Sequence, residues 1–180
     1  MNSIAFVSLI SGIVELILSF GLGLLTAFFS FKAFAKLNQG IDEIKALHDN
    51  NTAVAILHGT MMIAAAIIIH KSLAPAVAGL QMQLFSGFSM TGFLKFIGLA
   101  VGYVAIVLTT TIVTLSVSVK LFLKLTRDID ELAEIEKNNV SVSILLGSVF
   151  IIMSFFLSSG VESFLSALVP YPSPETIQIQ

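Results

Sequence analysis

The chain repeats itself without a gap at an offset of 88 residues, the separation of Lys32 from Lys120. In the 28 positions from Lys32 to Gly59, 13 residues are identical to the residue 88 positions later. Both copies read apolar run, charged connector, apolar run, so the duplicated unit is a hairpin of two membrane helices. The predicted fold class is therefore an all-α integral membrane protein with four transmembrane helices, arranged as two tandem parallel-repeat helical hairpins. We assign residues 1–88 to the first hairpin, 89–170 to the second and 171–180 to a flexible outer tail.

Composition requires a bilayer as the solvent of this chain. Hydrophobic residues make up 56% of it and charged residues 11%, with a mean hydropathy of +0.99, which is too apolar for a soluble domain of 180 residues. The net charge of -2 and the absence of a large basic patch exclude a nucleic-acid partner. With no cysteine, the chain has no thiolate metal site and no cysteine nucleophile.

Four apolar stretches are long enough to span a membrane. They cover residues 4–31, 52–69, 96–119 and 140–157. At least 18 residues at 1.5 Å each are needed to cross a hydrocarbon core of roughly 30 Å. Strands are excluded because alternation with a period of two is missing and open sheets cannot satisfy their backbone groups in lipid.

Basic residues predict the orientation. Seven of the nine lie in the two connectors, residues 32–51 and 120–139. The positive-inside rule places both connectors in the cytoplasm and both termini outside. Because each unit has an even number of helices, the two hairpins should be related by a pseudo-twofold axis along the membrane normal.

The connector sequences resemble a known family. The stretch from Asp42-Glu43 to Asn50-Asn51 and Gly59, and its second copy from Asp130-Glu131 to Asn138-Asn139 and Gly147, are similar to the signature of the "domain of unknown function 350" family of small bacterial inner-membrane proteins. Nearly the whole chain is covered through the duplication, as two tandem copies. The resemblance implies a multi-pass protein of the bacterial cytoplasmic membrane, in a family sometimes linked to envelope-stress and membrane-remodelling partners. The family usually has glycine where Asn50 and Asn138 stand, and asparagine also tolerates left-handed backbone.

Each asparagine pair stands immediately before an apolar run. One of Asn50 and Asn51, and one of Asn138 and Asn139, is therefore predicted to be a helix N-cap. Upstream of each pair, acidic residues are spaced around apolar ones, which predicts a short amphipathic helix at the membrane interface. The acidic pairs are Asp42 with Glu43 and Asp130 with Glu131. The alternative is a cation or partner site formed by these carboxylates.

Small and hydroxylated residues mark two further candidate features. Small residues one turn apart let membrane helices approach closely, within one protomer or between protomers. These candidate packing seams are Ala55 with Gly59, Ser143 with Gly147, and Gly98 with Gly102. Thr110, Thr114 and Ser118 form a polar stripe that either bonds its own helix or lines a wet path.

Four charged residues lie near or within the apolar layer at matching depths. Counting from the connectors pairs Glu15 with Lys71 and Lys95 with Glu162, which predicts two ion pairs. The alternatives are ion translocation by Glu15 and independent snorkelling of these side chains to the headgroups. The histidines are not spaced as metal ligands, and no catalytic or phosphate-binding motif occurs, so no enzyme activity, metal or cofactor is expected.

Two functions remain. The first is a non-enzymatic, homo-oligomeric membrane scaffold that presents its charged connectors to a cytoplasmic or membrane protein partner. The second is an ion channel or transporter whose path is lined by Glu15 and the polar stripe.

Overall fold

A computed structural model describes residues 3–37, 42–85, 89–125 and 130–168. The tail 171–180, Ile41 and parts of both connectors lie outside the described residues. The described chain forms seven α-helices. They are α1 (Ser3–Leu37), α2 (Glu43–His48), α3 (Thr52–His70), α4 (Leu73–Phe85), α5 (Met90–Leu125), α6 (Glu131–Glu136) and α7 (Val140–Ala167).

Four segments are long and apolar enough to cross a membrane, which confirms the predicted fold class. They are Ala5–Phe29, Thr52–Met82, Met90–Lys124 and Val140–Ala167. The second segment joins α3 and α4 through a turn at Lys71 and Ser72. Pro75 lies in the first turn of α4, where its missing N–H leaves no helical hydrogen bond unmade.

The centre of the molecule is the contact between α3 and α7, the second long helices of the two hairpins. Leu57, Met61 and Ile68 of α3 and Leu146 and Phe150 of α7 are almost completely buried there. Helix α1 packs on α3 and α4, and α5 packs on α7 and α3. The two hairpins are therefore joined through their second helices, with each first helix on the outside.

Large apolar side chains cover the outside of this core. Leu16 and Phe20 of α1 and Phe156 of α7 are each more than 70% exposed. A water-soluble protein of this size would rarely expose apolar patches so extensive. The exposed apolar surface lies on the helices long enough to span, so it fits contact with lipid.

Candidate functional site: the connector junction

The two connectors meet at the ends of α3 and α7, and we call residues 42–54 together with residues 130–142 the connector junction. In each copy a short helix ends at one asparagine and the long helix begins at the next. Asn50 and Asn138 have positive φ angles of 58° and 68°. Beyond them, the N–H of Asn51 donates to the carbonyl of Ala46 at 2.8 Å, and the N–H of Asn139 to that of Glu134 at 2.9 Å. These bonds are typical of an α-helix whose C-terminus is followed by one residue in the left-handed conformation. Glycine is the most common residue there, and asparagine is tolerated.

The second asparagine of each pair is the N-cap of the following helix, which confirms the predicted cap and decides between the two residues. The N–H of Val54 donates to Asn51 Oδ1 at 2.9 Å, and that of Val142 to Asn139 Oδ1 at 3.5 Å. The double asparagine is thus explained by local structure: the first residue ends the short helix and the second begins the long one.

The asparagines also join the two copies to each other. Asn51 Nδ2 donates to the carbonyls of Ile135 at 3.2 Å and Glu136 at 2.8 Å, at the end of α6. In the opposite direction, Asn138 Oδ1 accepts from the N–H of Ala53 at 2.9 Å, in the first turn of α3. Helix-terminal groups that would otherwise lack partners are satisfied across the repeat boundary. Sequence reasoning found the capping role and missed this second role, which depends on how the hairpins pack.

The junction departs from twofold symmetry at the second asparagine of each pair. Asn139 Nδ2 donates to Glu134 Oε2 at 3.0 Å within its own copy. Lys137 Nζ donates to Glu134 Oε1 at 3.0 Å. The hydrogen bonds from Asn139 and Lys137 lower the pKa of Glu134 below its usual value. The residue that corresponds to Glu134 in the first copy is Ala46, which has no carboxylate to accept a hydrogen bond from the side chain of Asn51.

The four predicted acidic residues divide into two kinds. Asp42 and Asp130 are exposed N-caps of α2 and α6, and each accepts a backbone N–H at 3.1 Å. Glu43 and Glu131, the next residues, are only 5% and 3% exposed, and Oε1 of each lacks a hydrogen-bond partner within the described residues. Burial, and then the neighbouring Asp42 carboxylate, raise the pKa of Glu43. Sequence reasoning missed the burial of these glutamates, because acidic side chains are almost never buried without a partner.

A polar groove of about 550 Å³ separates α2 from the end of α6. It combines acidic and basic side chains from both copies. The groove is lined by Asp42, Lys45, Ala46, Asp49, Asn51, Glu136, Lys137 and Asn138. In the part of the chain that the structure describes, no three His, Asp or Glu side chains are grouped to hold a metal ion. The groove therefore offers a charged surface shared by the two connectors.

The candidate packing seams differ in their surroundings. At Gly147 an added Cβ would lie 2.5 Å from Thr60 Oγ1, so this glycine lets α7 approach α3, and Ser143 beside it is fully buried. At Gly59, Gly98 and Gly102 an added Cβ would meet nothing within 4 Å. Ala55, one turn before Gly59, is exposed. Only the seam at Gly147 lies between helices of this protomer.

The hydroxyl groups of the polar stripe bond to the backbone of α5 itself. The hydroxyls of Thr110, Thr114 and Ser118 each donate to the carbonyl four residues earlier, at 2.8 to 2.9 Å. Thr114 and Ser118 are also buried, with exposures of 4% and 0%. This is the common arrangement of hydroxyls in membrane helices, and it leaves Thr114 and Ser118 packed against protein.

The predicted ion pairs were wrong in their partners. Lys71 Nζ lies 2.9 Å from Glu162 Oε2, with both side chains about two-fifths exposed. Glu15 and Lys95, the partners expected for these two residues, are both exposed. The reason is lateral packing: Lys71 follows α3, whose main neighbour is α7, the helix that carries Glu162. Depth along the helices, from which the pairs were predicted, cannot distinguish between neighbours.

Comparison with known proteins agrees with the family resemblance. The family model described as Domain of Unknown Function (DUF350) matches residues 8–159. Comparisons with curated proteins and with solved structures found no match. The matched range includes the second and third spanning segments, most of the first and fourth, and the whole connector junction. The chain therefore belongs to the DUF350 family.

Proposed function

We propose that this protein is a non-enzymatic membrane scaffold that presents the connector junction as one platform to a protein partner. The observation that carries this proposal is the interlocking of the two connectors: the amide of Asn51 reaches α6, and Asn138 caps α3. Because these bonds cross the repeat boundary, they hold the start of α3 against the end of α6. The charged groove lined by both connectors lies on this platform.

The proposal includes a homo-oligomer formed through α5. Gly98, Gly102, Ala105 and Thr109 follow one another at spacings of three and four residues, so they share one face of the helix. A Cβ added at either glycine would meet nothing within 4 Å among the described residues, and both Ala105 and Thr109 are exposed. A small-residue face of this kind lets a second copy pack closely in lipid.

The same proposal places the junction in the cytoplasm of a bacterial cell, with both termini outside, because the connectors hold most of the basic residues. The channel is the less supported function. Its polar stripe is bonded to its own helix, and Thr114 and Ser118 are buried among other helices.

Cross-linking tests the oligomer cleanly, since the chain has no cysteine. Ala105→Cys should form a disulfide-linked dimer in native membranes, because it lies on the small-residue face of α5. Phe20→Cys, a similarly apolar and exposed position on α1, is the matched control and should remain monomeric. Equal cross-linking at the two positions would argue against the proposed interface.

Ion flux separates the scaffold from the channel. Purified protein in sealed vesicles should conduct no more than protein-free vesicles. If it conducts and Glu15→Gln changes the conductance without changing the amount of folded protein, the scaffold proposal fails.

A further inference from the structure

Glu43 is one of the two buried glutamates of the connector junction, and the one whose helix exposes large apolar residues. The residue begins α2, is 5% exposed, and has an Oε1 without a hydrogen-bond partner among the described residues. A buried carboxylate oxygen without a partner is unfavourable, whereas a neutral carboxylic acid is tolerated far better. The geometry thus favours the protonated form of Glu43.

The charged groups around Glu43 do not offset its burial. Asp42 and Lys45 belong to the same helix, and Asp42 is the immediate neighbour. Helix α3, on which α2 packs, contains no Asp, Glu, Lys or Arg, and its first ionisable residue is His58. Across the groove lie Glu136 and Lys137, one of each sign. The raised pKa of Glu43 agrees with this environment.

Helix α2 also exposes its apolar residues. Ile44 is 71% exposed and Leu47 37% exposed, although both are more hydrophobic than the buried Glu43. In the second copy the residue equivalent to Leu47, Ile135, is completely buried. At about 100° per residue, Ile44 and Leu47 lie on the helix surface about 100° and 40° from Glu43. Turning α2 by about a quarter turn would therefore exchange the carboxyl group for these two apolar side chains.

We propose that Glu43 is a proton-controlled switch of α2. With the proton bound, α2 docks with Glu43 inward, as observed. When the proton is lost, α2 turns about its axis, the carboxylate reaches solvent, and Ile44 and Leu47 pack inward. The groove loses its observed shape, since Asp42, Lys45, Ala46 and Asp49 of its lining move with α2. This inference concerns the connector itself and holds whether or not the scaffold proposal is correct.

Proton binding can be measured directly by infrared spectroscopy of the full-length protein in lipid vesicles. Glu131→Gln is introduced first, because it removes the other buried glutamate of the junction. In this background the carbonyl stretch of a protonated carboxyl group should persist to a higher pH than when Glu43→Gln is added, and Glu136→Gln, at an exposed position, should leave it unchanged. Equal loss of the band with rising pH in the presence and absence of Glu43 would overturn the proposal.

The turning of α2 can be followed by thiol labelling. Ala46 is half-buried in the docked helix and would become exposed after the turn, whereas Asp49 is exposed and would stay so. The labelling rate of Ala46→Cys divided by that of Asp49→Cys removes the common effect of pH on thiol reactivity. This ratio should rise several-fold as the pH is raised through the range in which the infrared band of Glu43 disappears, and it should stay constant when Glu43→Gln is added. A ratio that stays constant with pH when Glu43 is present would refute the switch. An equal rise when Glu43→Gln is added would also refute it.

Discussion

Asn51 and Asn139 occupy the same position of the two repeats, yet the structure assigns them unequal stability effects. Asn51 is 9% exposed, caps α3 at 2.9 Å and donates two further bonds to α6. Asn139 caps α7 at 3.5 Å and donates one bond to Glu134, whose side chain is one-third exposed. The same substitution at both positions therefore compares the cross-repeat bonds with a local interaction.

The magnitudes follow from these contacts. Loss of an N-cap costs about 1 kcal/mol and loss of a hydrogen bond about 1 kcal/mol. Asn51→Ala should therefore lower the free energy of unfolding by about 3 kcal/mol, because one cap and two cross-repeat bonds are lost. Asn139→Ala should lower it by about 1 kcal/mol, since its cap is long and its other bond lies near solvent.

A third variant separates the two roles of Asn51. Serine is a good N-cap but is too short to reach α6, so Asn51→Ser should keep the cap and lose about 2 kcal/mol. The measurement is the free energy of unfolding of the purified protein in mixed micelles, from the change in helical circular dichroism with increasing denaturing detergent. Equal losses for Asn51→Ala and Asn139→Ala would refute the interlocked junction, as would an Asn51→Ser variant as stable as the wild type.

Three more predictions use the same unfolding assay. Gly147→Ala should cost about 1–3 kcal/mol through a steric clash with α3, whereas Gly59→Ala, at the open equivalent position, should be neutral or slightly stabilising. Glu162→Gln should cost about 0–1 kcal/mol by removing the surface ion pair, and Glu15→Gln should cost less, because Lys71 pairs with Glu162 instead. The pKa of Glu134 is lowered in the folded protein, so its carboxylate contributes to the free energy of unfolding above its unfolded pKa, and this contribution is lost in acid. Glu134→Gln should therefore make the free energy of unfolding fall less steeply below about pH 4.5.

The features predicted correctly from the sequence are those fixed by local pattern. Four spans follow from apolar length, and the capping by Asn51 and Asn139 follows from their position before an apolar run. The positive φ of Asn50 and Asn138 was not itself predicted, but it agrees with the expected tolerance of asparagine for left-handed backbone. Each of these depends only on residues within a few turns of one another.

The features missed depend on which helices become neighbours. Depth placed Lys71 level with Glu15, but the packing of α3 against α7 gave it Glu162 instead. The burial of Glu43 could not be predicted, because an amphipathic helix normally buries its apolar residues and exposes its acidic ones. Here Glu43 is buried and the neighbouring Ile44 is exposed. Such contradictions of a local rule occur most often at functional or strained positions. This is why Glu43, and not the more regular polar stripe of α5, is the better candidate for a switch.

A single difference between the two copies accounts for much of the asymmetry of the junction. Glu134 accepts the amide of Asn139 and holds it within the second copy, whereas Ala46 leaves the amide of Asn51 able to reach α6. Helix α6 is bonded to the opposite hairpin and its Ile135 is buried, whereas Leu47 of α2 is partly exposed. The cross-repeat bonds of Asn51 hold the end of α6, and α2 is the connector helix that we propose to turn. Duplication followed by divergence at this position would convert two equivalent connectors into a fixed element and a responsive one.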